Sequence, residues 1–301
     1  MQNHTKGILY AAVTAFFWGF LAIGLKLAAQ EFESVTIVWF RFFTTFMLLA
    51  IWQLLRQPAS FKILIRPPLL LFLAALGLSW NYMGFMLGID YTTPSNAQLF
   101  IQTGPILLAI AGFVIFKEKL NRNQVIGFAI AIIGFVFFYR DQLAAFFEGH
   151  EEYNIGVLFT ISGALAWTFY AILQKKLVVY HPVQQLNLFL FGLPALIYFP
   201  FIDLSPLLHL HWTWGLLLFL LGANTLIAYT TLAQALKFTE ANKVSVIIII
   251  NPVITFTAMG IFTHMNVSWI EHERFSPVTI LGAALVISGA ILVSRKKRKR
   301  K

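Results

Sequence analysis

The chain has no cysteine, which excludes disulfides, thiolate metal sites and a cysteine nucleophile, and leaves its redox compartment open. Charge is also scarce. Only 11% of the 301 residues are Asp, Glu, Lys or Arg, against roughly 25% in a typical soluble domain. Apolar residues take their place: 59% of the chain is hydrophobic, with 31 Phe and 8 Trp, and the mean hydropathy is +0.77. One soluble core of this length cannot hide so much apolar surface, so much of it must face lipid. The net charge of +10 would point to nucleic acid if it were spread over a folded face, but seven of the 22 basic residues form the terminal run Arg295-Lys296-Lys297-Arg298-Lys299-Arg300-Lys301. Without that run, 15 basic residues stand against 12 acidic ones. A basic run directly after an apolar span fits membrane topology and anionic lipid headgroups rather than DNA or RNA.

Apolar stretches near the length of a membrane-crossing helix occur ten times, at about 6–29, 34–54, 68–88, 93–116, 121–139, 154–175, 182–201, 212–236, 240–263 and 276–294. The connections are short, and several carry turn chemistry: Gln57-Pro58, Pro67-Pro68, Thr93-Pro94-Ser95, His181-Pro182 and Ser276-Pro277. The first stretch reads as a retained helix, because it exceeds a signal-peptide core in length and holds Lys26. With the N-terminus inside, the inner segments carry 18 basic residues and the outer segments only Arg140 and Arg274. That asymmetry predicts ten spans with both termini cytoplasmic, an inner 55–67 loop and an outer 140–153 loop. Labelling from outside would then reach Glu148 and miss Lys62.

The two halves repeat each other. At an offset of 149, Gly7, Ala15, Trp18, Ala22 and Lys26 match Gly156, Ala164, Trp167, Ala171 and Lys175. Tyr82 and Pro105 match Tyr229 and Pro252 at 147, and Glu118, Gly127 and Gly134 match Glu273, Gly282 and Gly289 at 155. Five spans per half is an odd number, so the second half must lie inverted in the membrane. The expected fold is an all-α integral membrane protein of ten transmembrane helices in two inverted five-helix repeats. Residues 1–140 form the first repeat, 141–294 the second, and 295–301 a basic cytoplasmic tail. Inverted repeats of this kind recur in secondary transporters.

The same residues carry a family resemblance. Trp18-Gly19 with Lys26, Arg41-Phe42, and Thr103-Gly104-Pro105 leading through Glu118 to Gly127 and Gly134 resemble the EamA-like branch of the drug/metabolite transporter superfamily. Trp167, Lys175, Asn251-Pro252, Glu273 and Gly282 repeat the scheme. The resemblance implies a carrier with a central cavity lined mainly by spans 1–4 and 6–9, peripheral spans 5 and 10, and outward movement of small metabolites, often amino acids, across a bacterial inner membrane. The second half offers Leu190 where Arg41 would be matched, so any site using Arg41 is asymmetric.

Polar residues in lipid are costly unless they face a cavity or find partners. Helical spacing places Gly77, Asn81, Gly84 and Gly88 on one face of span 3, and Gln98, Gln102, Pro105, Ala109 and Gly112 on one face of span 4. Span 6 similarly aligns Gly163, Trp167, Tyr170 and Gln174, and span 8 aligns Asn224, Ala228, Thr231 and Ala235. Such stripes read either as the wall of a polar path or as close packing with amides bonding across helices. Trp18, Trp167, Tyr82 and Tyr229 sit too deep for an interfacial belt and divide between cavity wall and core filler. Pro105 and Pro252 each remove a backbone donor near mid-span and read either as hinges or as static kinks that accommodate a neighbouring helix, with Asn251 beside one of them.

Arg41 lies well inside the hydrocarbon, and Lys26 stands near the outer end of span 1. The short turn between spans 1 and 2 makes them expected neighbours, so both cations are candidates to hold a substrate carboxylate or phosphate. Lys26 can alternatively snorkel to headgroups, and Arg41 can pair with backbone carbonyls or Gln102. No Asp or Glu falls inside a span, so transport is expected without an intramembrane carboxylate for proton or sodium coupling. No cofactor or metal is expected; His209 and His211 read as solvated loop histidines. The leading function is a secondary carrier for small polar metabolites, as exporter or exchanger. An intramembrane enzyme acting on lipid-linked substrates and a non-transporting assembly factor are the alternatives.

Overall fold

An apolar segment placed in lipid can satisfy its backbone only by coiling, because no water is present to take its N–H and C=O groups. In the computed structural model the ten stretches accordingly form ten helical spans. They are α1 (Gln2–Ala28), α2 (Ser34–Arg56), α3 (Leu69–Tyr91), α4 (Pro94–Phe100 and Thr103–Val114), α5 (Arg122–Phe138), α6 (Glu151–Leu177), α7 (Val183–Tyr198), α8 (Trp212–Phe238), α9 (Ala241–Ile248 and Asn251–His264) and α10 (Pro277–Ser294). The structure describes residues 2–92, 94–119, 121–140, 151–203, 205, 210–265, 267 and 276–294. Thr93, Glu148, His150, His209, His272, Glu273, Arg274 and the terminal basic run lie outside the described residues. Among the described residues, eight spans are long and apolar enough to cross a membrane, while α5 and α10, of 17 and 18 residues, are shorter apolar helices.

Local chemistry sets the ends. Asn121 and Gln124 form a capping box at the start of α5, each side chain accepting from the other's backbone N–H at 3.0 and 2.9 Å. Pro68 and Pro182 stand immediately before α3 and α7, and Pro277 opens α10, where a missing donor costs nothing. His211, read from sequence as a loop residue, caps α8 by accepting from the Thr213 backbone N–H.

The halves interlock. α3 packs along α6 and α1 along α8, the contact that the repeat demands; α2 faces α7, α4 faces α9, and α5 faces α10. This corrects the expectation that α1 and α2 are close neighbours. α1 packs chiefly on α8 and both parts of α9, and α2 chiefly on α7 and α8, because the first helix of each half is buried against the third helix of the other. The α5–α10 contact is itself symmetric. A Cβ on Gly127 would meet the Gly289 carbonyl at 2.8 Å, and one on Gly134 would meet the Gly282 carbonyl, also at 2.8 Å, so these small residues bring the two backbones together.

α4 and α9 are broken at equivalent places, Ile101-Gln102 and Ile249-Ile250. The sequence suggested that Pro105 and Pro252 interrupt running helices. Instead both prolines fall in the first turn of a second half-helix, whose N–H groups need no intrahelical partner. The breaks are bridged by tighter bonds, such as Gly104 N–H to Ile101 O at 3.0 Å and Ile250 N–H to Ile247 O at 3.1 Å.

Candidate functional site

Between the two breaks lies a cavity within which the centres of water-sized molecules can occupy about 70 Å³, room for several waters or part of a small solute. Trp18 and Leu21 of α1, Arg41 of α2, Asn81, Tyr82 and Phe85 of α3, and Gln98, Ile101, Gln102 and Pro105 of α4 form its first side. Trp167 of α6, Tyr229 of α8, and Ile248 and Asn251 of α9 complete it. The pseudo-two-fold relation passes through this space, since repeat mates touch across it. Trp18 and Trp167 meet edge to face with ring centroids 5.8 Å apart, and Tyr82 and Tyr229 lie 5.6 Å apart. Trp18 also packs edge-on against Tyr229 at 5.3 Å.

One wall is an amide cluster joining the two breaks. The Asn251 Oδ1 accepts from Gln98 Nε2 at 3.0 Å and from Gln102 Nε2 at 2.9 Å. The Gln102 Oε1 is buried without a hydrogen-bond partner among the described residues, a costly condition for a group in a low-dielectric interior. Opposite, Asn81 donates to the Gly163 carbonyl at 3.1 Å and accepts from the Tyr229 hydroxyl at 3.4 Å. Asn81 thus ties α3 to α6 and α8.

Among the described residues, Arg41 supplies the only formal charge in the cavity lining. It is 2% exposed, and its Nε donates to the Thr225 hydroxyl at 3.2 Å. Its guanidinium carbon stands 4.2 Å from the centre of the Tyr82 ring, close enough for cation–π attraction. No carboxylate reaches it: the ion pairs among the described residues are Glu118–Lys175 and Glu240–Lys243. The Thr225 contact replaces the expected pairing with Gln102 or backbone carbonyls. The Tyr82 hydroxyl is buried beside Arg41, Thr225 and Tyr229.

Other sequence-singled residues lie elsewhere. Lys26 is half-buried on α1 and does not line the cavity. Tyr170 is buried behind Tyr229, with ring centroids 5.8 Å apart. Gln174 donates to Asn187 at 3.4 Å, and Asn187 to Thr230 at 3.3 Å, so this amide chain joins α6, α7 and α8. Asn224 donates to the Phe17 carbonyl at 2.7 Å, and Thr14 bonds Thr231 at 2.8 Å; the α8 stripe is glue for α1. Gly77, Gly84 and Gly88 of the α3 stripe face α6. Pro252 sits one residue beyond the lining Asn251. Sequence reasoning missed Leu21, Phe85, Ile101 and Ile248, because an apolar side chain in an apolar span gives no signal. It also missed Thr225, whose hydroxyl partner could be found only in three dimensions.

A clasp joins several helices at one end of the bundle. Lys117 adopts a left-handed conformation (φ 52°) at the end of α4, and the Glu118 N–H turns back to the Gly112 carbonyl at 2.9 Å. Glu118 then pairs with Lys175 at 3.1 Å and accepts from the Ala241 and Asn242 backbone N–H groups at 2.8 and 3.1 Å. A carboxylate at the start of α9 is favourable there. Lys175 also donates to the Thr239 carbonyl at 3.0 Å. The ends of α4, α6 and α8 and the start of α9 are thereby drawn together.

Comparison with known proteins agrees with this architecture. The family model for the EamA-like transporter family matches residues 5–140 and 154–295, one match per repeat. An uncharacterised transporter of Haemophilus influenzae is 32% identical over 293 residues, covering 97% of this chain and 95% of that one. The Escherichia coli inner membrane transporter YhbE, also uncharacterised, is 30% identical over 294 residues, covering 96% and 91%. A crystal structure at 16% identity shares the fold, with a TM-score of 0.74 over 96% of this chain and 97% of the other.

Proposed function

Since the chain belongs to the EamA-like transporter family, we propose that it is a secondary carrier of the inner membrane. It exports or exchanges a small polar metabolite bearing a carboxylate or phosphate. The observation that carries this reading is Arg41, a cation buried without a carboxylate among the described residues, in a cavity that also holds the Gln102 oxygen. An arginine at such depth costs about 2.5–3.5 kcal/mol even on the lenient insertion scale. Stacking on Tyr82 and one bond to Thr225 offset part of that, and a substrate anion offsets the rest. Asn81, Gln98, Gln102 and Asn251 orient its polar groups, while Trp18, Trp167, Tyr82 and Tyr229 enclose its body.

Movement follows from the inverted halves. Exchange of their conformations moves the opening of the cavity from one face to the other, with the breaks beside Pro105 and Pro252 as hinges. The Glu118–Lys175 clasp holds the inner end shut, and its rupture opens the inner path.

Purified protein in proteoliposomes tests the assignment, with efflux of candidate anionic metabolites measured without an imposed proton or sodium gradient. Arg41→Lys loses the bidentate fork and weakens substrate binding about tenfold, Arg41→Ala weakens it further, and Lys26→Ala leaves it near wild type. Undiminished affinity in a folded Arg41→Ala protein would refute the anion site.

A further inference from the structure

An open recess of about 520 Å³ lies at the end of the bundle where α2 and α6 finish and α3 and α7 begin. Lys62, Arg66, His181 and Gln185 line it together with Ile63 and Ile65. Its rim is the connector after α2, in which Pro58 opens a single 3-10 turn (Pro58–Phe61) followed by the helical turn Lys62–Ile65. This connector has two faces. Ile63 and Ser60 are buried against the bundle, while Ile65 is 80% exposed and Lys62 and Arg66 are exposed beside it. Tyr180, on the neighbouring α6–α7 turn, is 81% exposed. Basic head groups and exposed apolar side chains at one level are the composition of a segment lying in the membrane interface.

The helices beside the recess are tied together, and its basic side chains lack acidic partners among the described residues. Gln53, fully buried in the last turns of α2, donates to the Gln184 carbonyl at 2.8 Å and so ties α2 to the start of α7. Segments 54–68 and 178–186 contain Arg56, Lys62 and Arg66 and no Asp or Glu. Among the described residues, neither Lys62 nor Arg66 takes part in an ion pair.

We propose that this recess binds the headgroup of an anionic phospholipid. Lys62 and Arg66 take the phosphodiester oxygens, and Gln185 takes a hydroxyl or ester oxygen of the headgroup. The acyl chains pass along the exposed Ile65 and Leu55 toward the hydrocarbon. A free phosphate offers the same oxygens, but the apolar rim favours a ligand with chains attached. The site depends on the protein's being embedded in a membrane, not on its being a carrier.

The test is thermal unfolding of the full-length protein in detergent, titrated with phosphatidylglycerol, phosphatidylcholine or glycerol phosphate. Phosphatidylglycerol should raise the apparent Tm in a saturable way, and the other two should not. Lys62→Gln with Arg66→Gln, both exposed positions, should weaken the response by roughly tenfold or more. Removing the same charge from the tail by Arg298→Gln with Lys299→Gln should change it little. An undiminished response in the first variant, or an equal loss in the second, would overturn the site. A glycerol phosphate response equal to the lipid's would overturn the lipid assignment in favour of a soluble phosphate. Transport is not read, so failure of the carrier reading leaves this result intact.

Discussion

Asn251 accepts two hydrogen bonds at the meeting point of the broken helices, one from Gln98 and one from Gln102. Its removal therefore leaves both of those amide donors without their acceptor in the cavity wall. Gln102 retains a longer bond to the Gln98 carbonyl at 3.3 Å, but the Gln98 amide has no other acceptor among the described residues. Asn251→Ala should lower stability by about 1–3 kcal/mol, read as a fall in the apparent Tm of the purified protein without ligand. Asn251→Asp keeps an acceptor in place and should unfold at a higher temperature than Asn251→Ala if satisfied donors are what matters. The amides were visible in the sequence as stripes. Their division between the cavity and helix–helix contacts was not, because Gln102 and Gln174 are chemically identical and differ only in what the neighbouring helix presents.

At the scale of helices, α5 and α10 approach through glycines that leave no room for a methyl group. A Cβ on Gly282 would stand 2.3 Å from the Phe138 backbone nitrogen and 2.7 Å from the Gly134 carbonyl, and backbone atoms cannot yield as a flexible side chain can. Gly282→Ala should therefore separate the pair and cost about 1–3 kcal/mol. Ile280→Ala on the exposed face, 62% exposed, should cost far less in the same melt. The clasp belongs to this scale too. A chain free of cysteine accepts a disulfide without background, so Glu118→Cys with Lys175→Cys tests whether α4 and α6 must part. Oxidation of that pair should arrest flux in proteoliposomes, and reduction should restore it; undiminished flux in the fully oxidised protein would remove the clasp from the transport cycle.

For the whole molecule, the most extensive helix contacts run between the halves rather than within them, and one hydrophobic core draws on both. The repeats are units of sequence and conformation that share their packing. Their inversion also sorts the ends of the bundle. His4 meets Lys243 at 3.1 Å and Glu118 meets Lys175 at one end, and Ser34 bonds Asp90 at the other. The first end gathers the lysines that the charge distribution assigns to the cytoplasm. A cysteine placed at exposed Ser205, in the α7–α8 connection, should react with an impermeant thiol reagent in intact cells, and one at Lys62 should react only after permeabilisation. The reverse pattern would invert the topology.

Composition and periodicity by themselves determined the membrane class, the ten helices and the inverted duplication, because lipid allows an apolar chain few alternatives and an odd number of spans per repeat fixes inversion. Trp18, Trp167, Tyr82 and Tyr229 were legible as repeat mates, and Arg41 as a charge in need of compensation. The tertiary structure alone decided which helices are neighbours. It placed α1 on α8 rather than α2, moved Lys26, Gln174 and Asn224 away from the cavity, and set the prolines at the starts of half-helices. A helical period of 3.6 residues says which side chains share a face. It does not say which surface that face meets, and in lipid, where cavity walls and helix contacts use the same small and polar residues, only the packed arrangement separates the two.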